Sequence, residues 1–255
     1  MAELIELSKN THADLKLLEN CALRVAKTQH VINVKVSEVG MAAGCFPLLM
    51  TKNSHSGDWA LSAITGIELS TNLFIKDDFW EATYLPTGLQ TYPFFLMKSE
   101  REEGAFSIGI DEDNAAFSKV DGAPLFEDSG QATPMLSGIT KMLEADMKNE
   151  IHTYQFTKML DEMGLIKAMD VLVHYADGRT HTLQGLYTPD EEKLQTLAIE
   201  ELDKLREKGY LAPIYAMLIS IYQFNALILR NNQLDGTAKV KQIQLEIPKP
   251  EKRSW

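Results

Sequence analysis

Cysteine is almost absent from this chain: Cys21 and Cys45 are the only two, 24 positions apart and without a Cys-x-x-Cys spacing. That excludes a disulfide-stapled scaffold and reads as two free thiols in a reducing cytoplasm. Positive charge is also scarce, with 25 Lys and Arg against 36 Asp and Glu, a net charge of −11. Such a field repels nucleic-acid phosphate and anionic lipid, so nucleic acid is not an expected partner. No Gly-x-Gly-x-x-Gly or Walker pattern occurs, and no Gly-x-Ser-x-Gly frame surrounds Ser54, Ser56 or Ser107. The usual dinucleotide, nucleotide and serine-hydrolase arguments therefore have no foothold. The start, Met-Ala-Glu-Leu-Ile-Glu-Leu-Ser-Lys, lacks the apolar stretch that a lipoprotein-type box at Ala43-Gly44-Cys45 would need, which argues against a signal peptide.

What remains is the balance of a soluble globular protein: 255 residues, 45% hydrophobic and 24% charged. One segment, Gly209 to Leu229, carries no charge and is flanked by Arg206, Lys208 and Arg230. Ser220, Gln223 and Asn225 would have to be desolvated in a lone membrane span. Ala216, Ser220, Gln223 and Leu227 share one helical stripe, which suits a helix buried centrally in a soluble domain. No transmembrane segment and a cytoplasmic location are the expectation.

The pattern along the chain predicts an α+β protein: a β-rich part over residues 1–130, a helical part over 131–234 containing a hairpin at 169–187, and a tail at 235–255, with one shared core. Leu23 to Val25 and Val31 to Val36 are β-rich runs. Ser37 can cap a short helix over Glu38 to Gly44. An apolar strand follows from Phe46 to Met50, and Trp59 to Ile67 returns antiparallel after the Ser56-Gly57-Asp58 turn. Thr133-Pro134 starts a long helix that Gly164 can close, and its apolar stripe shifts phase near Phe156, so its two halves face different neighbours or the helix bends. Asp177-Gly178 between two apolar runs predicts a tight type I′ hairpin turn. Thr188-Pro189-Asp190-Glu191 reads as a capping box, with Leu194, Leu202 and Leu205 on the buried stripe behind it. Val240 to Ile247 alternates and can add a strand.

Several stretches occur in an order that resembles the SapC family of bacterial proteins. They are His12-Ala-Asp-Leu-Lys-Leu, Phe46-Pro-Leu-Leu, Asn72-Leu-Phe, Tyr84-Leu-Pro, Tyr92-Pro-Phe and Gly122-Ala-Pro-Leu-Phe-Glu-Asp-Ser-Gly. Ala176-Asp-Gly-Arg-Thr-His-Thr-Leu-Gln-Gly-Leu-Tyr, Asp190-Glu-Glu-Lys-Leu and Leu211-Ala-Pro-Ile-Tyr-Ala follow. The resemblance covers about residues 10 to 229 and is distinct from the peptide-transport permease of the same name. It implies a link to bacterial surface-layer loci and to genes beside TonB-dependent receptors, and it brings no agreed catalytic residues.

Candidate chemistry is sparse. His12-x-Asp14 has the spacing of the first two ligands of an iron facial triad, which needs a distant second His from among His55, His152, His174 and His181. His174 and His181 flank the hairpin turn, and opposing positions could bring their rings together near Asp177, although zinc wants a firm third ligand. Asp111 to Asn114 and Glu127-Asp128 are oxygen-rich but lack an EF-hand spacing. No metal site and no cofactor are assigned. Trp59, Trp80, Tyr84, Tyr92 and Phe94 belong to a dense aromatic stretch, most of it expected in the core, with a minority able to form a peptide- or glycan-binding cleft. Two functions follow. One is a non-catalytic binding or accessory protein for a peptide, a glycan or a partner protein; the resemblance ties it to a surface or nutrient-uptake system. The other is a metal-dependent enzyme that modifies a small molecule or peptide. Convergence of His12, Asp14 and a further His around a pocket would favour the second.

Overall fold

The computed structural model describes residues 4–53, 57–99 and 106–248. Ser56 of the expected turn, with Ser54 and His55 before it, and the tail from residue 249 lie outside the described residues. The fold is α+β, with short strands dominating the N-terminal region and helices, a hairpin and a last strand the C-terminal one. Backbone contacts group the chain into two compact units that interleave in sequence. One comprises Met1–Lys27, Ile75–Trp80 and Leu85–Ile151; the other comprises Thr28–Phe74, Glu81–Tyr84 and His152–Trp255.

The first unit is built from small antiparallel sheets around a core that includes Phe94, Ile110, Phe117, Leu125 and Leu136. Each fully buried Leu or Phe contributes about 1.5–3 kcal/mol of transfer free energy. Strand Phe106–Ile110 lies between Ile5–Glu6 and Phe95–Lys98. Gly122, at φ +112°, lets the chain pass so close to Leu17 that a Cβ there would stand 2.4 Å from the Leu17 carbonyl oxygen. Leu23 to Val25 is helical, not extended, within Cys21–Ala26. That helix packs beside Thr87–Thr91, a tertiary contact that outweighs the β propensity of so short a run.

Helix Pro134–Glu162 starts where Thr133-Pro134 predicts, with the Thr133 hydroxyl accepting from the Leu136 amide at 3.4 Å. It ends before Gly164 at φ +62°. Residues up to Ile151 belong to the first unit and residues from His152 to the second, which accounts for the phase shift. Leu136 and Leu143 join the first core, while Phe156 packs edge-on against Tyr210 at 5.0 Å in the second unit.

The second unit carries a six-stranded antiparallel sheet in the order Val240–Glu246, Ile166–Tyr175, Thr180–Pro189, Leu48–Lys52, Trp59–Ile64, Val31–Val34. The alternating tail segment does add a strand, at the edge beside Ile166–Tyr175. Two details of the hairpin differ from expectation. Only Gly178 of the Asp-Gly pair is left-handed, at φ +91°, and its amide donates to the Tyr175 carbonyl at 3.2 Å. A type I′ turn needs both central residues at positive φ; one left-handed glycine after an ordinary turn suffices here. Strand Thr180–Pro189 also runs through Thr188 and Pro189, so the following helix Glu191–Gln195 is capped by Asp190, whose side chain accepts from the Lys193 amide at 3.2 Å. Leu194 and Leu205 are buried, but Leu202 is exposed, because the chain breaks at Thr196 and restarts as Ile199–Glu207.

The uncharged segment forms helices Leu211–Ser220 and Phe224–Gln233, joined by a 3-10 turn. It is long and apolar enough to cross a membrane by length and composition, and only 28% of its apolar window is buried. The expectation of a centrally buried helix is thus corrected. Ile214, Met217, Ser220, Phe224 and Leu227 face inward, while Tyr215, Ile219, Tyr222 and Leu229 face outward. Ser220 explains its own burial: its hydroxyl accepts from the Leu48 amide at 2.8 Å and donates to the Met217 carbonyl at 2.6 Å.

Candidate functional site

The functional geometry begins with one extra residue. Met169 pairs with Leu186 and Val171 with Leu183, so Gln184 and Gly185 together oppose the single residue Asp170. This is a β-bulge, and Gly185 occupies it at φ +74°. A bulge bends its strand and increases the local twist.

Register shows how far the sheet must turn. Ile64 stands beside Pro47, to whose carbonyl its amide donates at 2.9 Å, whereas Leu186 stands beside Thr51. On a flat sheet, His181 and Ile64 would lie roughly 25 Å apart along the strands, at about 3.3 Å per residue. Yet both line one cavity of about 310 Å³. The sheet is therefore rolled, and the far half of the hairpin comes back over the face that carries Val31, Thr51 and Ile64. Tyr175 closes the roll by donating its hydroxyl to Glu68 Oε1 at 2.8 Å.

The opposite wall is pinned by backbone. The His30 carbonyl accepts from the Thr65 and Gly66 amides at 2.9 and 3.2 Å, and the Gln29 carbonyl accepts from the Thr65 hydroxyl at 2.7 Å. Gly66 has no room for a side chain, since a Cβ would fall 1.8 Å from the Thr71 carbonyl oxygen. This tight turn presents Leu69, 69% exposed, at the rim.

Inside, Val31, Ile64, Leu183 and Leu186 make an aliphatic patch on one face of the sheet, and Thr51, Thr182 and Gln184 add polar groups. Thr51 lies within 2.9 Å of Ser62, which donates to Asn33 Oδ1 at 3.3 Å, so these polar groups satisfy one another. Two imidazoles join them, His30 and His181. Burial pushes the His30 ring below its ordinary value, towards the neutral form. The Nε2 of His181 is buried and has no hydrogen-bond partner. A second, more open cavity of about 470 Å³ shares Leu69 and His181 with the first and is bordered by Glu68, Tyr175 and Arg179. Here the Arg179 guanidinium sits 5.1 Å from the centre of the Tyr175 ring and pairs with Asp177 at 2.8 Å. Burial, then the hydrogen bond to Glu68, holds the Tyr175 phenol well above its ordinary value, and it stays a donor.

The residues expected from sequence fall elsewhere. His181 opposes Val173 and His174 opposes Thr180. The two histidines thus point to opposite faces of the sheet, because neighbours along a strand alternate, and they do not meet. His12 is buried with both ring nitrogens engaged. Its Nδ1 accepts from the Ser8 amide at 2.9 Å, with the Thr11 hydroxyl at 3.0 Å. Its Nε2 therefore carries the proton and donates to Glu112 at 2.7 Å. Among the described residues no three His, Cys, Asp or Glu side chains group as metal ligands.

The aromatic residues divide between the units: Trp80, Tyr92 and Phe94 in one, Trp59 and Tyr84 in the other. Phe94 is core, edge-on to Phe117 at 5.6 Å. Tyr92 donates to Asn114 at 2.9 Å, and Tyr84 donates to the buried Glu38. Trp80 pairs with Ile75 across a two-stranded ribbon, and Trp59 stacks edge-on against Tyr187 at 4.7 Å. None of the five lines the cavities at the hairpin. Sequence reasoning missed His30, Glu68 and Tyr175. The one available signal was Gly185, a lone glycine inside a strand pattern, which is a mark of a bulge.

A family model described as SapC matches residues 7–227, a span that contains every residue of the inner cavity. No curated protein and no solved structure matches the chain.

Proposed function

The chain belongs to the SapC family, and on that premise we propose that it is a non-catalytic binding or accessory protein linked to a bacterial cell-surface or TonB-type nutrient-uptake system, acting in the cytoplasm. Its ligand seat is the cavity under the rolled hairpin. One observation carries this reading: the rolled sheet encloses a largely apolar cavity with His30 and His181 in its wall. Ligand sites are concave, mostly apolar and furnished with few polar groups, in volumes from about 300 to 1,000 Å³. The occupant is a small molecule or a peptide side chain, not a glycan. The inner lining holds no Trp, Tyr or Phe to stack on a sugar. The competing reading, a metal-dependent enzyme built on His12 and Asp14, lacks support because both His12 nitrogens are occupied.

Untagged protein, purified natively and extracted with organic solvent for mass spectrometry, tests the reading. A near-stoichiometric small molecule, absent from a folded Leu183→Trp variant whose indole fills the cavity, is the expected result. Near-stoichiometric iron or zinc that is lost on His12→Ala and unaffected by Leu183→Trp would overturn it in favour of the enzyme.

A further inference from the structure

We propose that the outer edge of the six-stranded sheet binds a second copy of this chain. Strand Val240–Glu246 would pair antiparallel with the same strand of the second copy, centred on Gln244, and join two sheets into one.

The edge is open. Val240–Glu246 is the last strand in the sheet order, and among the described residues it pairs only with Ile166–Tyr175. Which of its backbone groups face outward follows from alternation along the neighbouring strand. The Tyr175 amide donates to the Arg179 carbonyl at 2.9 Å, and the Ala176 amide donates the other way, to the Lys239 carbonyl at 2.8 Å. Even residues of that strand therefore bond towards the edge: Asp170, Leu172 and His174 engage Glu246, Gln244 and Gln242, their register partners. The amides and carbonyls of Ile243 and Leu245 are left facing outward. One end is closed, because the Asn232 side chain accepts from the Val240 amide at 2.7 Å and donates to the Val240 carbonyl at 2.8 Å. The open stretch runs over residues 241–247, with Gln244 at its midpoint.

Charge identifies the occupant. Lys239 and Lys241 stand at one end of the edge. At the other end Glu191, Glu192 and Glu246 border a pocket of about 240 Å³ together with Leu245 and Ile247. A copy of the same strand, laid antiparallel, presents this gradient in the opposite sense. Centred on Gln244, the register sets Ile243 of each copy opposite Leu245 of the other, two pairs that each exchange both backbone hydrogen bonds. Gln242 falls opposite Glu246, and Lys241 falls opposite Ile247, at the acidic end. The contact is isologous, as a closed dimer requires. Leu245 and Ile247, 37% and 64% exposed in the single chain, gain a neighbour. A centre at Ile243 would instead drive Glu246 against the Asn232 cap on Val240. An unpaired exposed edge is a ready template for such pairing.

Sedimentation velocity of the untagged chain, from about 1 to 200 µM, tests the proposal. A reversible monomer–dimer equilibrium is expected. Leu245→Pro removes an outward amide and leaves the ladder to Ile166–Tyr175 intact, which edge strands tolerate. It should raise the dimer dissociation constant at least about tenfold. Leu245→Lys, which places a charge in the contact, should do the same and serves if the proline variant fails to fold. Gln244→Cys should form a disulfide-linked dimer on mild oxidation, since the register places the two positions directly opposite each other. Gln242→Cys should not, because its copies lie roughly 13 Å apart along the strand; the parent, with its own two cysteines, is the control. A monomer at every concentration would overturn the proposal. If the Ile243 and Leu245 amides of that monomer also exchanged slowly, the chain's own residues 249–255 would be the occupant. A dimer unchanged in folded Leu245→Pro and Leu245→Lys would place the interface elsewhere, and cross-linking at Gln242→Cys alone would overturn the register.

Discussion

His12 in the first unit and His181 in the second are both imidazoles with buried nitrogen, and only one of them is satisfied. Around His12 the Ser8 amide, the Thr11 hydroxyl and the Glu112 carboxylate take up both ring nitrogens. At His181, a residue in the wall of the inner cavity, the Nε2 is buried with no partner. A satisfied buried histidine is part of the scaffold: its bonds repay its desolvation and leave nothing for a metal or a substrate. An unsatisfied one carries a standing cost, of about 1–3 kcal/mol for a buried donor or acceptor. The residue that sequence spacing makes look catalytic is thus the structural one.

Several measurements would break or sharpen that contrast. The largest effect is expected at the wall of the cavity, not at either histidine. Gly66→Ala forces a Cβ to 1.8 Å from the Thr71 carbonyl oxygen, so the turn must rearrange. A loss of about 3 kcal/mol or more in urea unfolding is expected; a loss below about 1 kcal/mol would mean that the turn is not the rigid wall described. Next comes the direct pair. His12→Ala strands the Ser8 amide and should cost about 2–3 kcal/mol. His181→Leu removes an unpaired nitrogen and should leave stability within about 1 kcal/mol of the parent. Equal losses at the two sites would erase the contrast.

Smaller again is Gly185→Ala, which places a Cβ at φ +74° where nothing crowds it. The strain alone should cost about 1–2 kcal/mol. Loosening of the bulge should show as faster hydrogen exchange at the Tyr175 end of the hairpin than at its Ile166 end. The least effect is on pH dependence. Burial lowers the folded-state value of His30 below the ordinary 6.5, so the unfolded chain takes up that proton first as the solution acidifies. The His30 contribution is complete above about pH 6.5. It declines as pH falls from there towards the folded-state value, and levels off below it. His30→Gln should flatten this part of the profile relative to the parent, measured by urea midpoints from pH 7.5 to 5; an unchanged slope would place His30 in water.

Much of the fold was legible in particular residues. Thr133-Pro134 and Gly164 bound the long helix, and Asp177-Gly178 marks the hairpin. Val240 to Glu246 alternates and pairs as a strand. These signals are local: caps, turn glycines and periodicity act within a few positions. The site was much less legible. His30 and His181 are 151 positions apart in the chain, and no pattern within either neighbourhood points to the other. The aromatic stretch from Trp59 to Phe95 was ambiguous, because bulky rings fill cores as readily as they line clefts. Likewise, the outward face of Leu211–Gln233 could not be told from its inward face, since apolar residues occupy both.

The sequence by itself determined the α+β character, the positions of the main helix and hairpin, and the membership of the SapC family. Tertiary structure alone decided that the sheet rolls, that His174 and His181 part company across it, and that His30 and His181 line one cavity. The physical reason is range. Backbone propensity and capping are settled between neighbours, whereas the direction of a bent strand and the partner of a buried nitrogen depend on which distant surfaces fold against each other.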